Sequence, residues 1–160
     1  MNKKKFFYSI IILLLDQILK YIVDTFNTNV TIIKNILNIK YVENAGAAWG
    51  VLEGHSVLLI LASILVLVLV YNLMFSIKED KLSNLGFGLL FGGILGNLID
   101  RVIYGYVRDF ISIYIFGYSY PIFNIADMGI VIGVILVLIS SIKGDVLDGN
   151  KGRGKRIKNR

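Results

Sequence analysis

The sequence predicts an all-α membrane protein: four transmembrane helices, both termini cytoplasmic, and a small β-hairpin or sheet in the first outer loop. Three observations carry that reading. The 160 residues are 56% hydrophobic and 18% charged, where soluble domains run at about 45–50% and about 25%. The apolar excess falls into four blocks, 6–23, 56–75, 84–103 and 121–142, each near the ~20 residues that cross a ~30 Å hydrocarbon core. Finally, twelve of the Lys and Arg residues outside those blocks lie at the N-terminus, in the 76–83 loop and in the tail, against three in the 24–55 and 104–120 loops. Basic residues collect on the cytoplasmic side, so the latter two loops face outward.

The first block opens as "MNKKKFFYSIIILLL". A basic start followed by an apolar run imitates a signal peptide, but no small-x-small cleavage site follows, and the segment reads as an uncleaved first span. The 24–55 loop holds a β-branched stretch, an Asn-rich break and the alternating "NIKYV", which is hairpin patterning. The second block, "SVLLILASILVLVLVYNLMF", carries no charge. In the third, Gly88, Gly92 and Gly96 form a small-residue ladder that permits close helix approach. The fourth runs from Pro121 and again has glycines, Gly129 and Gly133. The whole is one integral membrane domain with no linker or repeat. Residues 143–160 form a basic cytoplasmic tail. It has no aromatic residue for base stacking, so it reads as a topology signal and an anionic-lipid contact, with no nucleic acid as partner.

Composition excludes several chemistries. There is no cysteine, hence no disulfide, thiolate nucleophile or thiolate metal site. The single histidine, His55, cannot supply the three or four convergent ligands of a usual zinc centre, so no metal site is expected.

At ~1.5 Å per helical residue, Asp16 lies about 16 Å above Lys5, near the midplane, with Lys20 one turn higher. Asn97 and Asp100 stand about 21 and 26 Å up the third span. Asn124 and Asp127 occupy the first two turns of the fourth, and Asp109, Asn44 and Gly46 lie in the outer loops. The polar groups therefore gather in the outer half, with none in the inner third. Ionisable residues at membrane depth are functional candidates, yet each has a structural alternative. Asp16 and Lys20, at i and i+4, form either a salt bridge that makes both charges tolerable or a pair that tunes a nearby site. Arg101 either snorkels or pairs with Asp100, and Asn97 and Asp100 read as supporting groups. Asn124 fits an N-cap and Asp127 a dipole-complementing residue. Asp109 fits a solvated loop. The small residues after Asn44 fit a turn or a close approach of backbone to ligand.

The cluster has no cysteine and no histidine; composition does not exclude a Ser–Lys pair, but no serine lies in the outer depth band beside Lys20, so carboxylates are the reactive groups that remain. Two aspartates sharing a site cannot both ionise easily. One keeps its proton, and the pair acts as base toward water and acid toward a leaving group. Peptide hydrolysis needs both functions. Asp109 and Asp127, both at the outer interface, are the natural pair, whereas Asp16 lies too deep and already has Lys20.

The ordered set "DQILK", "NAGAAWG", "GGILGNLIDR", "VRDFI" and "FNIAD" resembles the bacterial lipoprotein signal peptidases (signal peptidase II), which are aspartic proteases of the membrane. The motifs span residues 16–127. The resemblance implies a bacterial inner-membrane enzyme, active at its outer face, that removes signal peptides from lipid-modified prolipoproteins just before the diacylglyceryl-modified cysteine. It implies no cofactor, and prolipoproteins and membrane lipids as partners. By the same resemblance Asp109 and Asp127 match the catalytic dyad. Asp16, Lys20, Asn44, Gly46, Asn97, Asp100, Arg101, Asn124 and Ala126 match positions that shape the site or hold substrate. Glu43 departs from the family pattern, which has a basic residue there in many members, and so weakens any substrate contact ascribed to that position. Two rival readings remain: a proton-coupled carrier using Asp16 and Asp127, which requires a polar path through the membrane, and a scaffold without chemistry.

Overall fold

The computed structural model describes residues 3–47, 51–77 and 79–158, with side chains described as far as residue 143. Ala48, Trp49 and Gly50 of the "NAGAAWG" motif, Lys78, and the side chains of the basic tail beyond Lys143 lie outside the described residues. The chain runs α1 (Lys3–Thr25), β1 (Asn29–Ile33), β2 (Leu37–Asn44), α2 (Ser56–Ser76), α3 (Lys81–Tyr104), β3 (Val107–Ile115), β4 (Tyr118–Ser119) and α4 (Ile125–Lys158). Four helices are long and apolar enough to cross a membrane, α4 through its stretch up to Lys143.

The third helix is the axle. It packs against α1, α2 and α4, and it is the one helix buried over most of its span. Its glycines explain how. Gly88 and Gly92 lie against α1, and Gly86 and Gly93 face α4. A methyl group at Gly96 would stand 2.8 Å from Asp16 Oδ2, so the α1–α3 approach exists only because position 96 has no side chain. Both ends of α3 are defined by the sequence. Asp80 caps the start through a reciprocal box, Ser83 N donating to Asp80 Oδ1 at 2.6 Å and Asp80 N to Ser83 Oγ at 3.0 Å. Gly105, at φ 82°, closes the end in the left-handed conformation that glycine adopts without strain. Val70, Met74, Phe87, Leu90 and Ile94 form the packed α2–α3 core.

The sheet is larger than the small hairpin or sheet expected in the first outer loop. Its antiparallel order is β1-β2-β3-β4, so the segment between α3 and α4 supplies half of the strands. "VRDFISIYI" is rich in β-branched and aromatic residues, and β3 pairs with β2 through Leu37–Ile113 and Asn44–Val107. An isolated bridge between Ile111 and Phe123 keeps the chain extended past Pro121. The fourth helix therefore begins at Ile125, four residues later than the expected 121.

The expectation that the far end of the bundle lacks polar groups is overturned. Away from the sheet, Lys5, Ser9, Ser83, Asn84 and Ser140 are buried. Lys5 Nζ donates to the Met74 carbonyl at the end of α2, stands 3.9 Å from Glu79 and lies over the Phe87 ring. Unpaired carbonyls at a helix end need donors, and this lysine supplies one. Between that cluster and the polar groups near the sheet, the buried Ile12 lies against Gly92 and Gly129.

Candidate active site

Asn124 and Asp127 begin α4 as a capping box. Asp127 N donates to Asn124 Oδ1 at 2.9 Å, and Asn124 N donates to Asp127 Oδ2 at 3.2 Å. The structural reading of both residues thus holds, and it aims the Asp127 carboxylate. The remaining oxygen, Oδ1, accepts from Asn97 Nδ2 at 2.8 Å.

Asp109, expected in a loop, lies on β3 and is 2% exposed. Its Oδ1 accepts from Asn124 Nδ2 at 2.6 Å and its Oδ2 from Asn44 Nδ2 at 2.8 Å. Val42 of β2 pairs with Asp109 in the ladder, and this register brings Asn44 alongside. Asn44 Oδ1 accepts from Gly46 N at 3.0 Å, which turns the chain away from the strand. Burial pushes the Asp109 carboxyl up to about 7, the neighbouring Asp127 adds to the rise, and the bonds from Asn44 and Asn124 oppose it. Asn124 therefore touches both carboxylates, and each carboxylate has two donors.

Beneath the pair lies a box of four buried charges. Lys20 Nζ is 2.8 Å from Asp16 Oδ2 and 3.2 Å from Asp100 Oδ2. The Arg108 guanidinium is 2.8 Å from Asp100 Oδ1, and its backbone N also donates to Asp100. Charge is balanced, as burial demands. Of the two structural alternatives for Arg101, pairing with Asp100 does not hold: Lys20 and Arg108 occupy Asp100. The box also fixes neighbouring parts. Asp16 Oδ1 accepts from Ala126 N at 2.9 Å, which ties the first turn of α4 to the box, and Asp16 pairs with Lys20 as expected. Lys20 Nζ donates to Asn97 Oδ1 at 2.9 Å, which turns the Asn97 amide nitrogen toward Asp127. Ala126 is fully buried, its carbonyl against Gly93.

Arg101 instead reaches toward the two carboxylates. It lines one cleft with Asp109 and Asp127, its Nη2 lies 3.4 Å from the Gly46 carbonyl, and its Nε is, among the described residues, the buried side-chain nitrogen without a partner. The cleft encloses about 920 Å³ and runs between α2 and α4, from Asn44 and Tyr120 down past Leu59, Ser63, Val66 and Val134. Glu43 lies at its rim, exposed on β2 with the Tyr41 hydroxyl 3.5 Å away. Among the described residues no group of three His, Cys, Asp or Glu is arranged to hold a metal ion.

A family model described as "Signal peptidase (SPase) II" matches residues 8–143. The chain belongs to the signal peptidase II family. It is 38% identical to a lipoprotein signal peptidase of Staphylococcus aureus over 167 aligned positions, covering 99% of this chain and 100% of that protein. Two solved structures described as bacterial membrane enzymes determined by the in meso method, at 2.3 and 1.9 Å, are each 38% identical to it. Their TM-scores are 0.79 and 0.75. The first comparison covers 89% of this chain and 90% of that one, the second 88% and 93%.

All eleven residues singled out from the sequence fall within this one polar cluster or the charge box beneath it. Two more belong with them. Gln17 bridges Asp16, Asp100 and the Gly96 carbonyl and accepts from Arg108. Arg108 is buried against Asp100 and stacks on Tyr104. Both stood inside quoted motifs. The signal that could have found Arg108 is arithmetic: Asp16 and Asp100 need two buried cations, and Lys20 is only one.

Proposed function

We propose that this chain is a membrane-embedded aspartyl endopeptidase that removes signal peptides from bacterial prolipoproteins, cutting before the diacylglyceryl-modified cysteine. The observation that carries the reading is the pairing of Asp109 and Asp127 through Asn124 at the head of an apolar cleft. Charge balance supports a singly protonated pair. Asp16 and Asp100 offset Lys20 and Arg108, which leaves Asp109, Asp127 and Arg101. One shared proton makes that set neutral, as a low-dielectric site favours. Asp109, raised by burial, carries the proton.

The chemistry follows. A water between the carboxylates gives a proton to Asp127 and adds to the scissile carbonyl, while Asp109 donates its proton to the carbonyl oxygen. Collapse of the tetrahedral diol returns a proton to Asp109, and Asp127 passes its own to the leaving amine. The C–N bond breaks and the dyad regains its starting state. Arg101 offers a guanidinium beside the developing oxyanion. The apolar cleft between α2 and α4 admits the signal-peptide helix and acyl chains from lipid. Both termini lie in the cytoplasm and the sheet faces outward, which gives the site water.

Incubating the purified chain with a diacylglyceryl-modified prolipoprotein and weighing the products tests this. A signal peptide ending just before the modified cysteine is expected. Equal cutting of the unmodified preprotein contradicts the substrate assignment.

A further inference from the structure

The sheet has two ends of opposite character. One carries Asn44 and Asp109. The other carries both hairpin turns, held side by side where Tyr114 N donates to the Ile36 carbonyl at 2.9 Å and Leu37 pairs with Ile113. That second end is apolar and uncovered: Ile33 is 48% exposed, Ile36 52%, Ile115 51% and Phe116 106%. The β3–β4 turn consists of Phe116 at φ 50° and Gly117 at φ 80°, between the paired Ile115 and Tyr118. Two-residue turns with both φ values positive favour Asn, Asp or Gly at their first position. A phenylalanine there strains the backbone and also leaves a large apolar side chain bare. Among the described residues nothing covers that side chain, which is fully exposed.

We propose that this twin-hairpin tip inserts into the bilayer leaflet on the sheet side of the bundle. Continuity and charge identify the occupant. An exposed apolar series leads from Ile22 and Phe26 at the end of α1, through Val30, into the tip, and α1 itself has membrane-spanning length and composition. A surface contiguous with the lipid-facing wall is covered by lipid. Lys34 sits within the β1–β2 turn, where its ammonium reaches anionic headgroups while its neighbours enter the acyl region. Tyr118 and Tyr120 follow the second turn, residues that favour the membrane–water interface. The sheet is then fixed at two places, by the helices at one end and by the leaflet at the other. That sets the height of Asn44 and Asp109 above the lipid. The inference does not depend on the chemistry proposed for the site.

The chain has no cysteine, so single labels are clean. Phe116→Cys and Ile36→Cys, each carrying a nitroxide in reconstituted lipid vesicles, are compared by power saturation with oxygen and with a water-soluble nickel chelate. The reference sites are Leu65→Cys on the exposed face of α2 and Lys40→Cys on exposed β2. Insertion shifts the oxygen-to-nickel ratio at 116 and 36 to the value at 65. A ratio at both sites equal to that at 40 overturns the proposal in favour of a water-facing tip. Low accessibility to both reagents overturns it in favour of a protein partner or a second copy. The two labels sit on different hairpins, so a local defect in one turn leaves the other to decide.

Discussion

Replacing Asp109 by Asn removes a buried titration and leaves the size of the side chain unchanged. Burial raises the Asp109 carboxyl from 3.8 to about 7. Between those values the folded chain holds a proton at this position that the unfolded chain has released. Unfolding stability therefore falls as pH rises, by about 1.4 kcal/mol per unit. The penalty is absent below the unfolded value and complete above the folded one. From pH 5 to pH 8 the wild type loses about 2–3 kcal/mol through this group, and the Asn variant loses none of it. The variant also forfeits one hydrogen bond, since its NH2 cannot accept from both Asn44 and Asn124. That cost of about 1–3 kcal/mol is the same at every pH and cancels from the slope. At about 2–4 °C per kcal/mol for a chain of this size, the variant-minus-wild-type melting difference in detergent should rise by roughly 5–10 °C across that range. Parallel melting curves would refute the assignment of a raised carboxyl to Asp109.

Activity has its own pH signature. If Asp109 must carry the proton, kcat/KM declines above about pH 7 and approaches a tenfold loss per unit well above it, measurable on a fluorogenic lipopeptide. Lys20→Met strips the cation shared by Asp16 and Asp100. Breaking a buried pair costs about 3–5 kcal/mol, so a marked drop in melting temperature is expected. Gly96→Ala sets a methyl against the Asp16 carboxylate. Overpacking of this kind costs about 1–3 kcal/mol, and displacement of Asp16 from Ala126 N should lower kcat more than KM in the same assay.

The helices were legible because lipid demands long apolar runs, and no other pattern in the chain competes with them. The sheet was half legible. β2 alternates visibly, but β3 carries Arg108 and Asp109 among its apolar residues, and two charges in a short segment read as loop until both are buried against α3 and Asn124. The start of α4 was misplaced for a related reason. Pro121 suggests a first helical residue, and only the tertiary bridge of Ile111 to Phe123 keeps the chain extended to Asn124. Within the site, Asp127 and Asn124 stood out because polar residues in an apolar run are costly. Which structural alternative holds for Arg101 is not legible, because spacing along one helix cannot reveal that Asp100 is claimed from α1 and β3.

The most direct measurement is the single-turnover rate of prolipoprotein cleavage by wild type, Asp109→Asn and Asp127→Asn, each purified and shown to be folded. A two-carboxylate mechanism predicts loss of at least about 10³-fold in either variant, since each removes one half of the acid–base exchange. Cleavage within tenfold of wild type by either variant would contradict it.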